Sequence, residues 1–512
     1  MKRTGEFGCC GLFVVLWALF LADRLLLSED LSAITFLGYG WIGAACLAWT
    51  LLLMAPVLAF GRKVRFLYAV LLPPWALLVA FQWYLHVKYH FLLWGDWVGI
   101  ALCSSVSEVA AFLRDALTPL AVLGTLGAMT LAGLLAVWCG RGNACGASGG
   151  KSGFRLAAAC VLVFFGWCAA RGSGLTASLS EPMAVGFVTS TVQSAKTFIR
   201  LQALKESPRV PKGLKLAVPS ASAPVCVFVL GESATRNRWG LYGYARDTTP
   251  RLSALGPSLC VFSNATASAS QTGAAMQRLF LRTDPTTGLP DCSLAQVLSS
   301  AGYDCVLLSN HDRWGRFDGF EDFLFSSCRE LRHLSEEKLP RPWYDDALLP
   351  YLDRALASAG ERPTVVFLHL MGSHMSMDNR YPAEQGRFPA AKLTHQYERN
   401  DPAIARDHYD NSIAFTDAVL GEVVARLKKT GRPAWMLYVS DHGESVDSSS
   451  WRDRRDPSLW EVPMVWWRSA SYEALAPDVV RAQCALSGAP LRSESIFEMI
   501  LQMALVKELE RK

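Results

Sequence analysis

Carboxylate, imidazole and hydroxyl groups follow short apolar runs at three places in the sequence. They are Glu232 and Ser233 at the first place, His374 at the second, and Asp441 and His442 at the third. Carboxylate oxygens and imidazole nitrogens are ligands that Zn2+ takes in tetrahedral sites. A serine or threonine hydroxyl on such a metal is activated as a nucleophile toward phosphorus. Convergence of these groups would therefore form a zinc centre that carries a hydroxyl nucleophile.

The elements that must bring these groups together are predicted strands. The apolar runs are Val225–Leu230, Thr364–Leu370, Ala434–Val439 and, before Asn310, Asp304–Ser309. Runs of this length and composition are typical of buried strands. Between them lie the helical patterns Ser293–Ser300, Trp343–Ala359 and Ile404–Lys429. This alternation favours a largely parallel sheet with helices on both faces, whose ligands bind beyond the carboxyl ends of the strands.

The first third of the chain has a different character. Hydrophobic residues make up 51% of the 512 residues, and most long apolar runs fall within residues 1–171. Five segments approach or exceed the roughly 20 residues that cross a bilayer. They are approximately Cys9–Leu27, Ile34–Phe60, Phe66–Tyr84, Leu117–Cys139 and Phe154–Ala170. The sequence therefore predicts a transmembrane domain at 1–171, an amphipathic helix and linker at 172–222, and a soluble domain at 223–512.

The distribution of basic residues orients these spans. Lysines and arginines occur before the first span, in residues 61–65 and in residues 141–155. With five spans all three groups lie on one side, which the positive-inside rule makes cytoplasmic. The soluble domain is then predicted to lie outside the cytoplasm.

Net charge and cysteine usage narrow the possible partners, metal sites and cellular compartments. A net charge of +5 over 512 residues is too small to favour a nucleic-acid partner. None of the fourteen cysteines belongs to a CxxC pair, which argues against a structural zinc site. Six cysteines lie beyond the apolar part, and disulfides among them would indicate an oxidising compartment. Cys226 and Cys305 lie inside apolar runs, where buried thiols are equally expected.

Four longer motifs resemble those of the membrane-bound phosphoethanolamine transferases of Gram-negative bacteria, within the alkaline phosphatase/sulfatase superfamily. They are GESATRNRWGLYGYARDTTP at 231–250, MGSHMSMDNRYP at 371–382, HYDNSIAFTDAVL at 408–420 and SDHGES at 440–445. Relatives of this kind include lipid A phosphoethanolamine transferases and mobile colistin-resistance enzymes. The resemblance covers essentially the whole chain. It implies an N-terminal five-helix transmembrane domain plus a C-terminal α/β periplasmic domain with a mostly parallel, alkaline phosphatase/sulfatase-like sheet.

The resemblance also implies a ligand set and a nucleophile. Glu232, Asp441 and His442 match the positions of the catalytic zinc ligands. The nucleophile of such enzymes is a threonine, which also binds the zinc, in the segment that corresponds to Asn264–Leu281.

Thr272 is the predicted nucleophile in this segment. Apolar Met276 and Leu279 follow it by four and seven positions, the spacing by which a helix buries one face. The first turn of that helix would then present the hydroxyl to the metal, with the phosphoryl charge near the helix N-terminus. Thr266 is the alternative.

Two more residues are candidates for substrate binding. His374 resembles a histidine that faces the active site and holds substrate or a second zinc, and Asn310 is a candidate contact for the substrate headgroup. The chain departs from the family after the Asp441-His442 pair, because Val446–Asp456 lacks the histidine that members often carry. A second zinc, or activation of the acceptor, is therefore in doubt. Arg452, Arg454 and Arg455 are either anion-binding groups there or part of a solvated loop.

These observations predict a zinc-dependent enzyme. It transfers phosphoethanolamine from phosphatidylethanolamine, through a threonine intermediate, to lipid A or another cell-envelope glycan. The expected location is the bacterial inner membrane, as a multi-pass monomer with its catalytic domain in the periplasm. The alternatives are a phosphoglycerol transferase or related hydrolase of the superfamily, and a catalytically inactive membrane-anchored periplasmic binding protein.

Overall fold

The computed structural model describes residues 210–508, except residue 212 and segments 220–221, 285–288, 312–319, 338–342, 392–401 and 448–455, together with isolated positions between Leu16 and Leu134. The chain divides into two compact units, and the second comprises Ile100–Val106 and Lys196–Lys512. No helix among the described residues is both long and apolar enough to cross a membrane. Apart from the isolated positions, the five predicted spans and the predicted amphipathic helix lie outside the described residues.

Seven strands form the main sheet of the second unit. In chain order they are β2 (Val225–Gly231), β3 (Leu259–Val261), β7 (Asp304–Ser309), β8 (Glu330–His333), β9 (Thr364–His369), β10 (Ala434–Ser440) and β11 (Met464–Arg468). Six other strands of the described residues form three two-stranded sheets: β1 (Leu214–Leu216) with β13 (Val506–Glu508), β4 (Ala265–Thr266) with β12 (Leu491–Arg492), and β5 (Leu281–Asp284) with β6 (Leu289–Ser293).

The described helices surround these sheets. They are α1 (Pro250–Ser253), α2 (Thr272–Phe280), α3 (Leu294–Ser300), α4 (Phe320–Leu324), α5 (Leu349–Ala359), α6 (Pro402–Lys429), α7 (Ala470–Leu475), α8 (Pro477–Cys484) and α9 (Ile496–Met503). The helix predicted at Ser293–Ser300 is confirmed as α3, with Ser293 as its N-cap in a capping box with Gln296. The helix predicted at Ile404–Lys429 is confirmed as α6.

The helix predicted at Trp343–Ala359 is wrong in its first turn. The α-helix begins only at Leu349, with Pro350 in its first turn, and Asp345–Leu348 forms a separate 3-10 turn. Proline is favoured in the first turn of a helix because it cannot donate an i→i−4 hydrogen bond further in. The 3-10 turn before this helix directs the side chain of Asp345 toward the loop after β9.

The strand order of the main sheet is β3-β11-β10-β2-β9-β7-β8. The five strands β10, β2, β9, β7 and β8 are parallel, as the sequence predicts. β11 runs antiparallel to both of its neighbours and makes the whole sheet mixed. The prediction of a mostly parallel sheet therefore holds for the five adjacent strands, and β11, β8 and β3 are strands that it missed.

Side chains of β2 alternate between two hydrophobic cores, one on each face of the sheet. Cys226, Phe228 and Leu230 belong to one core, and Val225, Val227 and Val229 belong to the other. Every residue of β2 and of its neighbour β10 is buried. Burial of both faces fixes the strand register, because a one-residue slip would exchange the two sets of side chains. The ends of these strands are therefore firmly positioned.

One disulfide joins Cys260 of β3 to Cys484 at the end of α8. The other four cysteines beyond residue 200, Cys226, Cys292, Cys305 and Cys328, are buried free thiols. The six cysteines beyond residue 200 therefore form one disulfide rather than the three that their number allows. Structural disulfides are characteristic of oxidising compartments.

Candidate metal centre

Parallel pairing of β2 and β10 brings two of the predicted ligand segments together. The pairing runs from Ala434–Val225 to Ser440–Gly231. Asp441 and Glu232, each one residue further on, therefore emerge side by side at the same sheet edge. The backbone N–H of Asp441 extends this pairing by donating to the carbonyl of Gly231 at 3.1 Å.

The turn after β2 holds an unusual backbone conformation at Ser233. Its φ of 55° lies in the left-handed region, which is unfavourable for a residue with a side chain. Two hydrogen bonds hold this conformation: Ser233 N–H donates to Asp441 Oδ1 at 3.0 Å, and its hydroxyl donates to Glu232 Oε1 at 2.6 Å. The backbone N–H of Ala234 donates to Ser440 Oγ at 2.9 Å. The two loops thus position each other's carboxylates.

The loop after β9 packs directly on Glu232. Gly372 has a φ of +50°, and a Cβ atom there would lie 2.8 Å from the carbonyl oxygen of Glu232. Glycine is required at this position because it tolerates both the conformation and the close approach. The next residue, Ser373, donates its N–H to the same carbonyl at 2.9 Å.

Thr272 is the first residue of α2, as the spacing of Met276 and Leu279 predicts. Both apolar side chains are fully buried. Thr272 Oγ1 donates a hydrogen bond to Glu232 Oε2 at 2.9 Å. Thr266, the alternative, lies in β4 and donates to the carbonyl of Leu491 at 3.3 Å.

The Glu232–Asp441–His442 cluster is compact and fully buried. One potential ligand atom of each residue lies within 4.8 Å of those of the other two. His442 Nε2 lies 3.5 Å from Glu232 Oε1 and 3.4 Å from Asp441 Oδ2. His442 Nδ1 lies 2.8 Å from the carbonyl oxygen of Gly443, which can only accept. Nδ1 therefore carries the proton in the neutral ring, and Nε2 presents its lone pair to the carboxylates.

The electrostatics of this cluster favour a bound cation. Burial, and then the charge of Asp441, raises the pKa of Glu232 to about 7. Burial also raises the pKa of Asp441. Among the described residues, Asp441 Oδ2 is buried without a hydrogen-bond partner. Buried carboxylates without such partners are stabilised by a metal ion, and two oxygens with one imidazole nitrogen match the donors that zinc prefers.

The two predicted substrate residues lie near this cluster. Asn310 is buried and donates from Nδ2 to Asp345 Oδ1 at 2.8 Å. Asp345 also accepts the N–H groups of Met371 and Gly372, at 2.8 and 2.9 Å. Asn310 therefore supports the loop that packs on Glu232. The backbone N–H of His374, on the same loop, donates to the carbonyl of Met371 at 3.1 Å.

Sequence reasoning missed a set of buried histidines at the same sheet edge. His369 is the last residue of β9, His333 is the last residue of β8, and His311 follows β7 by two positions. Only His311 followed a predicted strand, Asp304–Ser309, because His369 lies inside the predicted run Thr364–Leu370 and β8 was not predicted. Arg452, Arg454 and Arg455, which are the alternatives for anion binding, lie outside the described residues.

Residues 224–502, more than half of the chain, match the family model described as Sulfatase. The chain belongs to the sulfatase family. The fold and the motifs agree with this assignment, and the resemblance expected from the sequence is confirmed at the level of the family.

Curated relatives of this family member are named as phosphoethanolamine transferases. The chain is 26% identical over 326 residues to EptC of Escherichia coli K12, an alignment that covers 59% of this chain and 55% of the relative. It is 28% identical over 320 residues to CptA of Salmonella typhimurium, with the same coverage. It is 26% identical over 332 residues to EptA of Helicobacter pylori, covering 62% of this chain and 61% of that protein. The chain thus spans a little over half the length of the curated relatives it matches.

Two solved structures have a similar fold. The integral membrane protein lipooligosaccharide phosphoethanolamine transferase A of Neisseria meningitidis superposes with a TM-score of 0.69 at 18% identity, covering 98% of this chain and 95% of that chain. The C-terminal periplasmic domain of Escherichia coli EptC, in complex with Zn, gives a TM-score of 0.52 at 22% identity, covering 59% and 87%. At these identities the likeness establishes the fold alone.

Proposed function

We propose that this chain is a zinc-dependent phosphoethanolamine transferase in which Thr272 carries the transferred group. The observation that carries the proposal is the hydrogen bond from Thr272 Oγ1 to Glu232 Oε2, at 2.9 Å, beside Asp441 and His442. A nucleophilic hydroxyl, two carboxylates and an imidazole meet there at one sheet edge. The names of the curated relatives support phosphoethanolamine as the group.

Glu232, Asp441, His442 and Thr272 would hold the zinc ion. When bound there, the ion supplies Lewis-acid activation of the threonine oxygen and of the phosphoryl group. The hydrogen bond to Glu232 holds the reacting oxygen, Thr272 Oγ1, in position. Its proton leaves along the hydrogen bond to Glu232, and burial of the cluster excludes competing water.

The transfer has two displacements at phosphorus. Thr272 Oγ1 attacks the phosphorus of phosphatidylethanolamine, the bond to the diacylglycerol oxygen breaks, and that oxygen leaves with the proton that Thr272 released to Glu232, so phosphoethanolamine remains on Thr272. An acceptor hydroxyl or protonated phosphate oxygen then attacks the same phosphorus, the bond to Thr272 Oγ1 breaks, and Thr272 Oγ1 takes up the proton that the acceptor loses. Thr272 begins α2, so the phosphoryl oxygens would lie near a helix N-terminus, which favours negative charge.

The donor and the acceptor are proposed on different grounds. Five apolar segments before residue 171 would anchor the chain in the membrane that contains the lipid donor. The Cys260–Cys484 disulfide supports a catalytic domain outside the cytoplasm. Relatives named Kdo(2)-lipid A phosphoethanolamine 7''-transferase, at 25% identity in Salmonella typhimurium, support lipid A or a related envelope glycan as acceptor.

Replacement of the nucleophile tests this proposal. Full-length chain in membranes is supplied with headgroup-labelled phosphatidylethanolamine and lipid A, and transferred label is measured. Thr272→Ala is expected to lower transfer by at least about 1,000-fold, because the covalent step is lost. Thr266→Ala is the matched control and should stay within about twofold of the native rate, since Thr266 lies in β4.

Three results would count against the proposal. An active Thr272→Ala variant would exclude this nucleophile. Release of label to water, without transfer to any glycan, would instead indicate a hydrolase. Transfer from phosphatidylglycerol in place of phosphatidylethanolamine would indicate a phosphoglycerol transferase.

A further inference from the structure

A second group of buried ligand atoms includes Glu232. One potential ligand atom each of Glu232, His311 and His369 lies within 4.8 Å of the other two. All three side chains are buried, with at most 3% of their surface exposed. This Glu232–His311–His369 cluster is separate from Asp441 and His442 and shares only Glu232 with them.

A buried carboxylate, that of Glu321, determines which ring nitrogen of His369 carries the proton. His369 Nδ1 lies 3.0 Å from Glu321 Oε1. The carboxylate oxygen accepts the proton that Nδ1 carries, so in the neutral ring the lone pair is on Nε2. In the described part of the chain, Nε2 is buried and makes no hydrogen bond.

The protonation of His311 is set by a backbone carbonyl. His311 Nε2 lies 2.9 Å from the carbonyl oxygen of Leu370, which can only accept a hydrogen bond. The proton is therefore on Nε2 and the lone pair is on Nδ1. The rings of His311 and His369 are stacked, with centroids 3.8 Å apart and planes 9° apart.

This arrangement is characteristic of metal-binding histidines. Such residues donate one ring N–H to a carboxylate or a backbone carbonyl, and the other nitrogen then binds the metal. His369 has the carboxylate of Glu321 in this role, and His311 has the carbonyl of Leu370. Glu232 supplies an anionic oxygen beside both rings.

We propose that Glu232, His311 and His369 bind a second divalent metal ion of the zinc type, with Glu232 shared between this ion and the Thr272 centre. Two imidazole nitrogens and one carboxylate oxygen form a donor set that suits zinc and leaves a further coordination position. The two imidazoles come from the last residue of β9 and from the loop directly after β7. The site stands on its own donor geometry, whichever group the enzyme transfers.

His333 provides a matched control for this cluster. It is buried at the end of the adjacent strand, and its Nδ1 lies 3.9 Å from Glu321 Oε2 and 3.4 Å from the carbonyl oxygen of His311. His333 therefore lies in the same buried region, but it is next to the Glu321 carboxylate and is not grouped with Glu232. His374 lies 6.3 Å from His311, measured between ring centroids, and does not belong to the cluster.

Zinc stoichiometry tests the proposal. The purified full-length chain is stripped of metal, reconstituted with Zn2+ and dialysed, and zinc is quantified by mass spectrometry. The native chain and His333→Asn are expected to hold two zinc equivalents. His311→Asn and Asp441→Asn should each hold one, because each removes a ligand of only one ion.

X-ray absorption at the zinc edge checks the native chain without any substitution. Two zinc ions with three imidazoles between them support the second site, and an average of one imidazole or fewer per zinc ion overturns it. A native chain with one equivalent also overturns the proposal, as does His311→Asn with both. Two equivalents in a chain that transfers no phosphoethanolamine would contradict the proposed function and leave this site standing.

Discussion

The stability of the metal-free chain should fall as pH rises from about 4.5 to about 7. In the folded state the pKa of Glu232 is raised from 4.5 to about 7, first by burial and then by the charge of Asp441. Within this window the folded chain keeps a proton on Glu232 that the unfolded chain has released. Because the folded state binds more protons, the free energy of unfolding decreases with rising pH. At about 1.4 kcal/mol for each unit of pKa difference, the loss is about 3 kcal/mol.

The assay is thermal unfolding of the full-length chain after chelation, followed by tryptophan fluorescence across this pH range. A loss of about 3 kcal/mol corresponds to a decrease in Tm on the order of 5–10 °C. The pKa of Asp417 is also raised, by burial, to about 6, and it contributes a loss of the same sign. The quantity to compare is therefore the difference between the native chain and Glu232→Gln, because Asp417 is common to both.

Zinc should remove the decrease in stability of the native chain over this pH range, because the ionised carboxylate is then paired with a cation. Metal-free native chain and Glu232→Gln with parallel pH profiles would refute the reasoning, since Glu232 would then not be a neutral buried acid. A native Tm that rises between pH 4.5 and 7, relative to Glu232→Gln, would refute it as well.

Two other substitutions test how the centre is supported. Gly443→Ala would place a Cβ atom 1.8 Å from the carbonyl oxygen of Ser458, so we expect a loss of about 1–3 kcal/mol in stability and a lower zinc content, measured by denaturation and metal analysis. Asp345→Ala leaves the Asn310 amide and the N–H groups of Met371 and Gly372 without their acceptor. Loss of these charge-assisted bonds should cost about 3–5 kcal/mol and lower the transfer rate.

Exposed positions supply the controls for these two variants. Gly488 has open space around it, so Gly488→Ala should leave zinc content unchanged. Asp478 is solvent-exposed on α8, so Asp478→Ala should change stability by less than about 0.5 kcal/mol. Native zinc content in Gly443→Ala, or native stability in Asp345→Ala, would contradict the packing described for these loops.

The residues of the first cluster were predictable because their signals are local. Glu232, Asp441 and His442 each follow a run of apolar residues that is buried on both faces, and the ends of adjacent parallel strands meet at one edge. Thr272 was predictable within the family segment because Met276 and Leu279 mark the buried face of α2. These signals need no knowledge of distant contacts.

The residues of the second cluster depend on distant contacts. His369 is part of the apolar run Thr364–Leu370, so its sequence context is that of a strand residue. Its role depends on Glu321, 48 positions earlier, and on stacking against His311. No periodicity in one sequence encodes such pairings.

The antiparallel strand β11 was missed for a similar reason. Met464–Arg468 is short and directly follows a proline, and its direction is fixed only by pairing with β10 and β3.

The start of α5 was misplaced because Asp345 is held by Asn310, Met371 and Gly372, whereas the amphipathic pattern continues unbroken to Trp343. In both cases tertiary contacts override a local pattern.

The measurement that most directly tests the central proposal is peptide mass spectrometry of the full-length chain. The zinc-loaded protein is incubated with phosphatidylethanolamine without acceptor, quenched in acid and digested. We predict phosphoethanolamine on Thr272, within the peptide that spans Asn264–Leu281, and its disappearance when lipid A is added. A chain that transfers phosphoethanolamine while Thr272 stays unmodified, or that carries the group on Thr266, would contradict this account.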